Sequence, residues 1–184
     1  MLNKDRQDAI TPIIDALDNK DIFLYKKSGI YPVDGHEDFN WCVFSCFDEE
    51  GWKDVKPVSN KINIGLFHGA VWGSKTDKDW EIEGEITTDF FNGFDFALLG
   101  DIHRRQFLNS KKSMAYCGSS IQQNYGEDPG KGFLFWDIKD KDNFTVEFHE
   151  IPHSQPFVTV DWKGSVSETA AFALKYPLGS RFRI

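Results

Sequence analysis

The sequence predicts a layered α/β fold. Short apolar runs lie between turn residues, helical spacing occurs near the start, and 40% of the 184 residues are hydrophobic. A chain of this length buries roughly two thirds of its unfolded surface, which is enough for one ordinary domain with a small appendage. We place the boundary at Pro152, which divides the chain into residues 1–151 and 152–184.

The first predicted element is a helix. Its apolar residues recur at the i, i+3, i+4 and i+7 positions of one helical face: Ile10, Ile13, Ile14 and Leu17. Pro12 fits such a helix in the first turn, with Thr11 as N-cap, or else it breaks a longer helix. A second helix is predicted at residues 166–176.

Strands are predicted where short apolar or β-branched runs lie between turn signals. They cover residues 22–25, 30–33, 41–47, 61–67, 94–99, 114–117, 132–138, 144–151 and 157–162, with the start of another at residues 181–184. The run at residues 41–47 is almost wholly apolar, so we expect it to be buried on both faces. Residues 72–85 form a polar loop, a short helix ends near residue 93, and residues 118–130 form a glycine-rich loop. The charged run at residues 139–143 closes a hairpin.

The charge and cysteine content exclude some classes of function. The net charge is −8 and the pI is about 5.1, so net charge alone does not attract nucleic acid or anionic lipid. No apolar run approaches the ~20 residues that span a bilayer, and the N-terminus is polar, so we expect no membrane association and no signal peptide. Cys42, Cys46 and Cys117 are odd in number and lack metal-knuckle spacing, which favours a reduced, cytoplasmic setting.

Two predicted strands each end in side chains that can bind metal. One leads into His68, and the other leads through Gly100 into Asp101 and His103. Ligands of layered α/β folds lie beyond the carboxyl ends of strands, and Asp and His suit Mn, Fe or Zn. We expect the strands that end at Phe67 and Leu99 to lie side by side in one sheet. The three residues would then form a two-His, one-carboxylate face, although each could also be an ordinary polar residue at a strand end. The remaining histidines are assigned to the surface: His36, His149 and His153.

A basic strip follows the second of these strand ends. It consists of Arg104, Arg105, Lys111 and Lys112, and no Asp or Glu occurs between residues 102 and 126. Guanidinium and ammonium groups bind phosphate, and the neighbouring hydroxyls and N–H groups of Ser119 and Ser120 can do the same. We predict that these residues bind a phosphate-bearing substrate, although the strip could also be a solvated loop.

The order of these motifs resembles the second half of the calcineurin-like metallophosphoesterases. Within that superfamily the chain is most similar to the SbcD nuclease family, of the type found as a phage recombination endonuclease subunit. FALLGDIHRRQF resembles the family's strand ending in G-H-x-H, and MAYCGSSIQQNYGEDPGKGF resembles its Y-x-G-S loop and next strand. GLFHGAVWG resembles the histidine-bearing loop, and LNKDRQDAITPIIDAL the helix after G-N-H-D. The likeness covers nearly the whole chain.

The resemblance implies a partial calcineurin-like sandwich of mixed sheets with flanking helices for residues 1–151. It also implies the start of a small α+β DNA-capping domain at residues 152–184. It implies that His68 and His103 are metal ligands, with Asp101 in place of the first histidine of G-H-x-H; a carboxylate there suits Mn or Mg. The family's D-x-H, G-D-x-x-D and G-N-H-D motifs, which supply most of its dinuclear site, precede the first helix, and no counterpart of them precedes that helix in this sequence. We therefore expect an internal part of a longer protein that is inactive by itself.

By resemblance, the complete protein hydrolyses phosphodiester bonds in DNA during recombination or repair, as an exo- or endonuclease with two Mn ions or with Mg. The implied partners are DNA, an SbcC/Rad-type ATPase subunit and a second copy in a homodimer, in the cytoplasm of the cell or of a viral host. A phosphomonoesterase or nucleotide phosphodiesterase of the same fold is one alternative. A catalytically inactive binding or scaffold module is another. The glycine-serine loop and the cap-like tail favour the nuclease, whereas the missing motifs favour the inactive module.

Overall fold

The computed structural model describes Asp8 and residues 10–184. The helices in this part of the chain are α1 (Thr11–Leu17) and α2 (Val166–Ala173), with shorter 3-10 turns at Glu49–Asp54 and Thr88–Phe91. The strands are β1 (Gly29–Val33), β2 (His36–Phe44), β3 (Ile62–His68), β4 (Phe96–Gly100), β5 (Gln106–Phe107), β6 (Met114–Tyr116), β7 (Gly132–Ile138), β8 (Phe144–Glu150), β9 (Phe157–Thr159) and β10 (Arg181–Arg183).

Six strands form one mixed sheet in the order β1-β2-β3-β4-β6-β5. Strands β1 and β2 pair antiparallel, β2 and β3 parallel, and β5 and β6 antiparallel. Strands β3 and β4 are neighbours in this order, as predicted for the strands that end near Phe67 and Leu99. The α/β class with a mixed sheet is therefore confirmed, while its calcineurin-like arrangement stays a prediction.

The described residues up to His68, together with Gly93–Ala97, form one compact unit. Its core includes Phe44 of β2 and Phe67 of β3, both buried. Buried Asn63 of β3 is fully engaged, because its backbone N–H donates to the Asp95 carboxylate at 2.8 Å and its side-chain oxygen accepts from the backbone of Val58 at 2.9 Å. These bonds satisfy a polar residue that burial would otherwise penalise.

Two predictions in the first unit need correction. Helix α1 has Pro12 in its first turn as predicted, but Ile10 is the N-cap and Thr11 the first helical residue. Residues 22–25 are predicted as a strand, yet in the described structure they belong to none. Phe23 is 60% exposed there, so the apolar run neither pairs with another strand nor enters the core. An apolar run without a partner strand does not form a stable strand.

The second compact unit comprises Gly69–Asn92 and Leu98–Ile184. Strands β7 and β8 form the predicted hairpin, paired from Gly132 with Glu150 to Ile138 with Phe144. Strand β9, helix α2 and strand β10 form a β-α-β segment with parallel strands. Helix α2 begins with Ser165 as its N-cap, whose Oγ accepts from the Glu168 N–H at 3.2 Å and donates to the Glu168 carboxylate at 2.7 Å.

These units do not coincide with the predicted domains, residues 1–151 and 152–184. The assignment of those two ranges to a metallophosphoesterase domain and a DNA-capping domain stays a prediction. Within the described residues, no helix is long and apolar enough to cross a lipid bilayer.

Candidate functional site

An open pocket of about 390 Å³ lies in the second unit, beside the end of β4. Three segments line it: the turn around residue 78, the residues after β4 and the glycine-rich loop. The lining residues are Thr76, Asp77, Lys78, Trp80, Asp101, Ile102, His103, Asn124, Gly126 and Glu127. Two of the three predicted metal ligands, Asp101 and His103, therefore line one pocket.

Asp101 has a strained backbone. It directly follows β4 and has a φ of 92°, in the left-handed region that favours glycine. Residues held in such conformations cost about 1–3 kcal/mol and cluster at binding and catalytic sites. The Asp101 residue is exposed, so its carboxylate is accessible from the pocket.

His103 is held through both its ring and its backbone. Its Nδ1 lies 3.0 Å from Glu127 Oε1. Its backbone carbonyl accepts hydrogen bonds from Lys131 Nζ at 3.0 Å and from the Ser119 N–H at 3.3 Å. A carboxylate at Nδ1 keeps the imidazole proton there and leaves the lone pair of Nε2 available to a metal ion.

Glu127 is an ionised carboxylate inside the protein, with a side chain only 6% exposed. Burial alone would raise the pKa of Glu127, but hydrogen bonds from His103, the Gln123 N–H and Lys131 outweigh it and hold that pKa below its ordinary value. The Lys131 ammonium, 4% exposed, lies 3.2 Å from Glu127 Oε2 and 3.4 Å from Asp77 Oδ1. One buried cation thus neutralises part of the charge of two carboxylates.

The sequence analysis missed Glu127, Lys131 and Asp77. Glu127, near the end of the glycine-rich loop, and Lys131, directly after that loop, are four residues apart, and this spacing is a signal that could have paired them. Nothing local marks Asp77, because its contact with Lys131 spans 54 residues.

The segment that begins at Tyr116 supports the pocket. The fully buried Tyr116 hydroxyl donates to the Gly69 carbonyl at 2.7 Å and accepts from the Val71 N–H at 2.9 Å, and burial raises the pKa of Tyr116 to about 12. Gly118 has a φ of 81°, and a Cβ there would lie 2.9 Å from the His103 carbonyl oxygen. A glycine is therefore required for the loop to approach His103 this closely.

The two predicted phosphate-binding serines differ in burial. Ser120 is exposed, whereas the buried hydroxyl of Ser119 has no hydrogen-bond partner among the described residues. The same is true of the buried hydroxyl of Thr76 within this part of the chain. A buried hydroxyl without a partner costs about 1–3 kcal/mol, so each of the two lowers the stability of the second unit. Phosphate binding by Ser119 and Ser120 stays a prediction.

Two residues of the basic strip form ion pairs within the second unit. Arg104 Nη1 lies 2.6 Å from Asp79 Oδ1 and donates to the Thr76 carbonyl at 3.0 Å. Lys111 Nζ lies 2.9 Å from Asp142 Oδ1. Hydrogen bonds from Arg104 and Lys111 hold the pKa values of Asp79 and Asp142, respectively, below the ordinary range.

The other two residues of the strip lie on aromatic rings. The guanidinium of Arg105 is 3.7 Å from the centre of the Phe148 ring, and Lys112 Nζ is 5.6 Å from the centre of the Phe107 ring. Because two of its four positive charges form ion pairs, the strip carries a smaller net positive charge in the folded chain than its sequence implies. Its role in DNA binding stays a prediction.

His68, the third predicted ligand, is exposed at the end of β3 and belongs to the first unit. Among the described residues, no group of three or more His, Cys, Asp or Glu side chains is placed to hold a metal ion. In the second unit, Asp101 and His103 fit part of a metal site: one oxygen and one nitrogen donor suit Mn, and Glu127 orients the histidine. Ligation by His68 stays a prediction.

Comparisons with known proteins find a viral relative. No protein-family model matches the chain. The chain is 37% identical over 158 residues to a protein of Acanthamoeba polyphaga mimivirus described as "Uncharacterized protein R555". The match covers 79% of this chain but spans only 11% of the length of that relative.

Proposed function

We propose that the pocket at Asp101 and His103 is part of the metal centre of a DNA nuclease similar to the SbcD family. The observation that carries this proposal is the support of His103 by Glu127, whose carboxylate oxygen lies 3.0 Å from Nδ1. A histidine that binds metal through one ring nitrogen usually donates its other N–H to a carboxylate or carbonyl. The strained Asp101, two residues earlier, supplies a carboxylate for the same pocket.

A bound divalent ion would neutralise charge on a phosphodiester and lower the pKa of a coordinated water. Asp101 and His103 would hold the ion, while Glu127 keeps the imidazole proton of His103 on Nδ1. Lys131 offsets the negative charges of Glu127 and Asp77, which reduces their repulsion of a phosphate entering the pocket. The basic strip would bind neighbouring phosphates of the DNA backbone.

The proposal for the complete protein draws on the sequence resemblance. It names DNA as substrate, Mn as the metal with Mg as an alternative, an SbcC/Rad-type ATPase subunit as partner and a homodimer as the assembly. Residues 152–184 would begin the DNA-capping domain. Hydrolysis would serve recombination or repair in the cytoplasm.

Metal binding and DNA binding by the chain test the proposal together. Calorimetric titration with Mn²⁺ should give binding that Asp101→Asn and His103→Ala each weaken by at least about tenfold. His149→Ala, which removes an exposed histidine of β8, is the matched control and should leave Mn²⁺ affinity unchanged.

The anisotropy of a labelled single-stranded DNA provides the second measurement. Mn²⁺ should strengthen its binding to the wild-type chain and to His149→Ala, but not to His103→Ala. Equal Mn²⁺ affinity in all variants would contradict the proposed metal site. Mn²⁺-dependent binding of a phosphomonoester such as p-nitrophenyl phosphate, without any binding of DNA, would favour the phosphomonoesterase alternative.

A further inference from the structure

A hairpin-like turn places an exposed tryptophan at the rim of the pocket. The turn is closed by backbone hydrogen bonds from the Gly73 N–H to the Ile82 carbonyl at 3.0 Å and from the Thr76 N–H to the Trp80 carbonyl at 2.9 Å. Trp80 lines the pocket and is nevertheless 72% exposed. Its indole therefore contributes little to the core and is available to a ligand.

Arg104 fixes one side of this turn. It follows His103 in the chain and donates to both the Thr76 carbonyl, at 3.0 Å, and the Asp79 carboxylate, at 2.6 Å. These two acceptors flank the tip of the turn that carries Trp80. The turn is therefore attached directly to the segment that holds the proposed metal ligands.

The glycine-rich loop fixes the other side. Asp77 Oδ1 lies 3.4 Å from Lys131 Nζ and accepts from the Asp128 N–H at 3.3 Å. Lys78 lies so close to Gly126 that a Cβ on that glycine would be 2.9 Å from Lys78 Cε. A turn held on both sides is pre-organised, so a ligand would lose little affinity in ordering it.

We propose that Trp80, Lys78 and Thr76 form a nucleotide subsite next to the proposed metal ligands. Trp80 stacks on a nucleobase and Lys78 contacts the attached phosphate, while Thr76 lines the same pocket beside them. This inference rests on the proposed function and narrows its substrate class. Stacking on an indole requires an unpaired base, so the substrate is single-stranded or frayed nucleic acid rather than intact duplex.

The charges in the pocket predict that phosphate binding depends on metal. Asp77 and Glu127 share Lys131, and the pocket lining also includes the opposite charges of Asp101 and Lys78. A phosphate close to Asp101 would be repelled unless a divalent cation lies between them. Mn²⁺ should therefore strengthen nucleotide binding at this subsite.

Calorimetric titration of the full chain with thymidine 5′-monophosphate in the presence of Mn²⁺ tests the subsite. Trp80→Ala should weaken nucleotide binding about tenfold, the contribution of one base–aromatic stack, and Trp80→Phe should restore part of it. Binding of ribose 5-phosphate, which lacks a base, should be the same in all three proteins. Trp162→Ala, which removes a 56% exposed tryptophan of the same unit outside the pocket lining, is the matched control.

Three outcomes would overturn the subsite. The first is no binding of thymidine 5′-monophosphate by the wild-type chain, and the second is equal nucleotide affinity in Trp80→Ala and Trp162→Ala. The third is that Trp80→Ala loses affinity for ribose 5-phosphate as much as for thymidine 5′-monophosphate. Mn²⁺ affinity, measured in the same variants, separates this inference from the proposed function. Trp80-dependent nucleotide binding without Mn²⁺ binding would overturn the metal site and leave the stacking role of Trp80 supported. Normal Mn²⁺ binding together with nucleotide binding that does not depend on Trp80 would overturn the stacking role of Trp80 and leave the metal site supported.

Discussion

Replacing Glu127 by alanine should destabilise the second unit by about 3–5 kcal/mol, because the change removes several hydrogen bonds to a charged group, each of which contributes about 1.5–3 kcal/mol. The Glu127 side chain is 6% exposed, and its carboxylate lies 3.0 Å from His103 Nδ1, 3.1 Å from the Gln123 N–H and 3.2 Å from Lys131 Nζ. Its removal would leave the buried Lys131 ammonium with Asp77 as its remaining carboxylate partner. A single neutral hydrogen bond would cost only about 0.5–1.5 kcal/mol, so the ionic contribution dominates.

Urea unfolding at neutral pH, followed by circular dichroism, measures this cost. Glu127→Gln keeps the side-chain size and should lose less, about 1.5–3 kcal/mol. The double variant Glu127→Ala/Lys131→Met should be less stable than Glu127→Ala alone, because it leaves the Asp77 carboxylate, whose side chain is only 10% exposed, without its cation. Glu147→Ala, at an exposed position of β8, is the control and should change stability by less than about 0.5 kcal/mol. A loss below about 1 kcal/mol for Glu127→Ala, or a double variant more stable than Glu127→Ala alone, would refute these roles of Glu127 and Lys131.

Three further predictions concern pH, backbone geometry and charge. The pKa of Glu127 in the folded chain is below the ~4.3 of an unfolded chain, so its ionised form stabilises the fold above that pH, and this contribution is lost as the pH falls through the folded pKa. Urea unfolding between pH 3 and 7 should show the decline in stability, and Glu127→Gln should make stability depend less on pH. Gly118→Ala should lower stability more than Gly35→Ala. Both glycines have a positive φ, 81° and 72°, which costs alanine about 1–2 kcal/mol, but only at Gly118 would the new Cβ lie 2.9 Å from the His103 carbonyl oxygen. Equal shifts of the thermal unfolding midpoint would show that this close approach does not affect stability. Arg105→Glu should weaken the binding of every DNA sequence, because phosphate contacts carry no sequence information. The slope of the logarithm of the DNA-binding constant against log salt should become shallower by about 0.7–0.9 for each phosphate that the variant no longer binds. An unchanged slope would show that Arg105 belongs to solvated surface.

Local patterns were sufficient for the elements whose partners are close in sequence. The hairpin predicted at residues 132–138 and 144–151 forms as β7 and β8, because alternating side chains and a charged turn specify both the strands and their pairing. The apolar run before Asp101 likewise forms β4, which puts Asp101 and His103 directly after a sheet strand.

Side-chain contacts between residues distant in sequence could not be predicted. The basic strip contains no acidic residue in sequence, yet Arg104 pairs with Asp79 across 25 residues and Lys111 pairs with Asp142 across 31. The support of His103 by Glu127 spans 24 residues and arises only when the glycine-rich loop folds back. Propensity and local charge carry no information about such contacts, because the contacts depend on the tertiary fold.

The central claim is that His103, oriented by Glu127, binds a divalent metal ion. The most direct measurement is a Mn²⁺ titration of the ¹⁵N-histidine-labelled chain, in which the paramagnetic ion broadens the resonances of histidines near its site. The account predicts that His103 broadens at the lowest Mn²⁺ concentrations and that Glu127→Gln raises the concentration required, while the three surface histidines His36, His149 and His153 stay sharp. A His103 resonance that stays sharp at saturating Mn²⁺, or uniform broadening of all five histidines of the sequence, would contradict it.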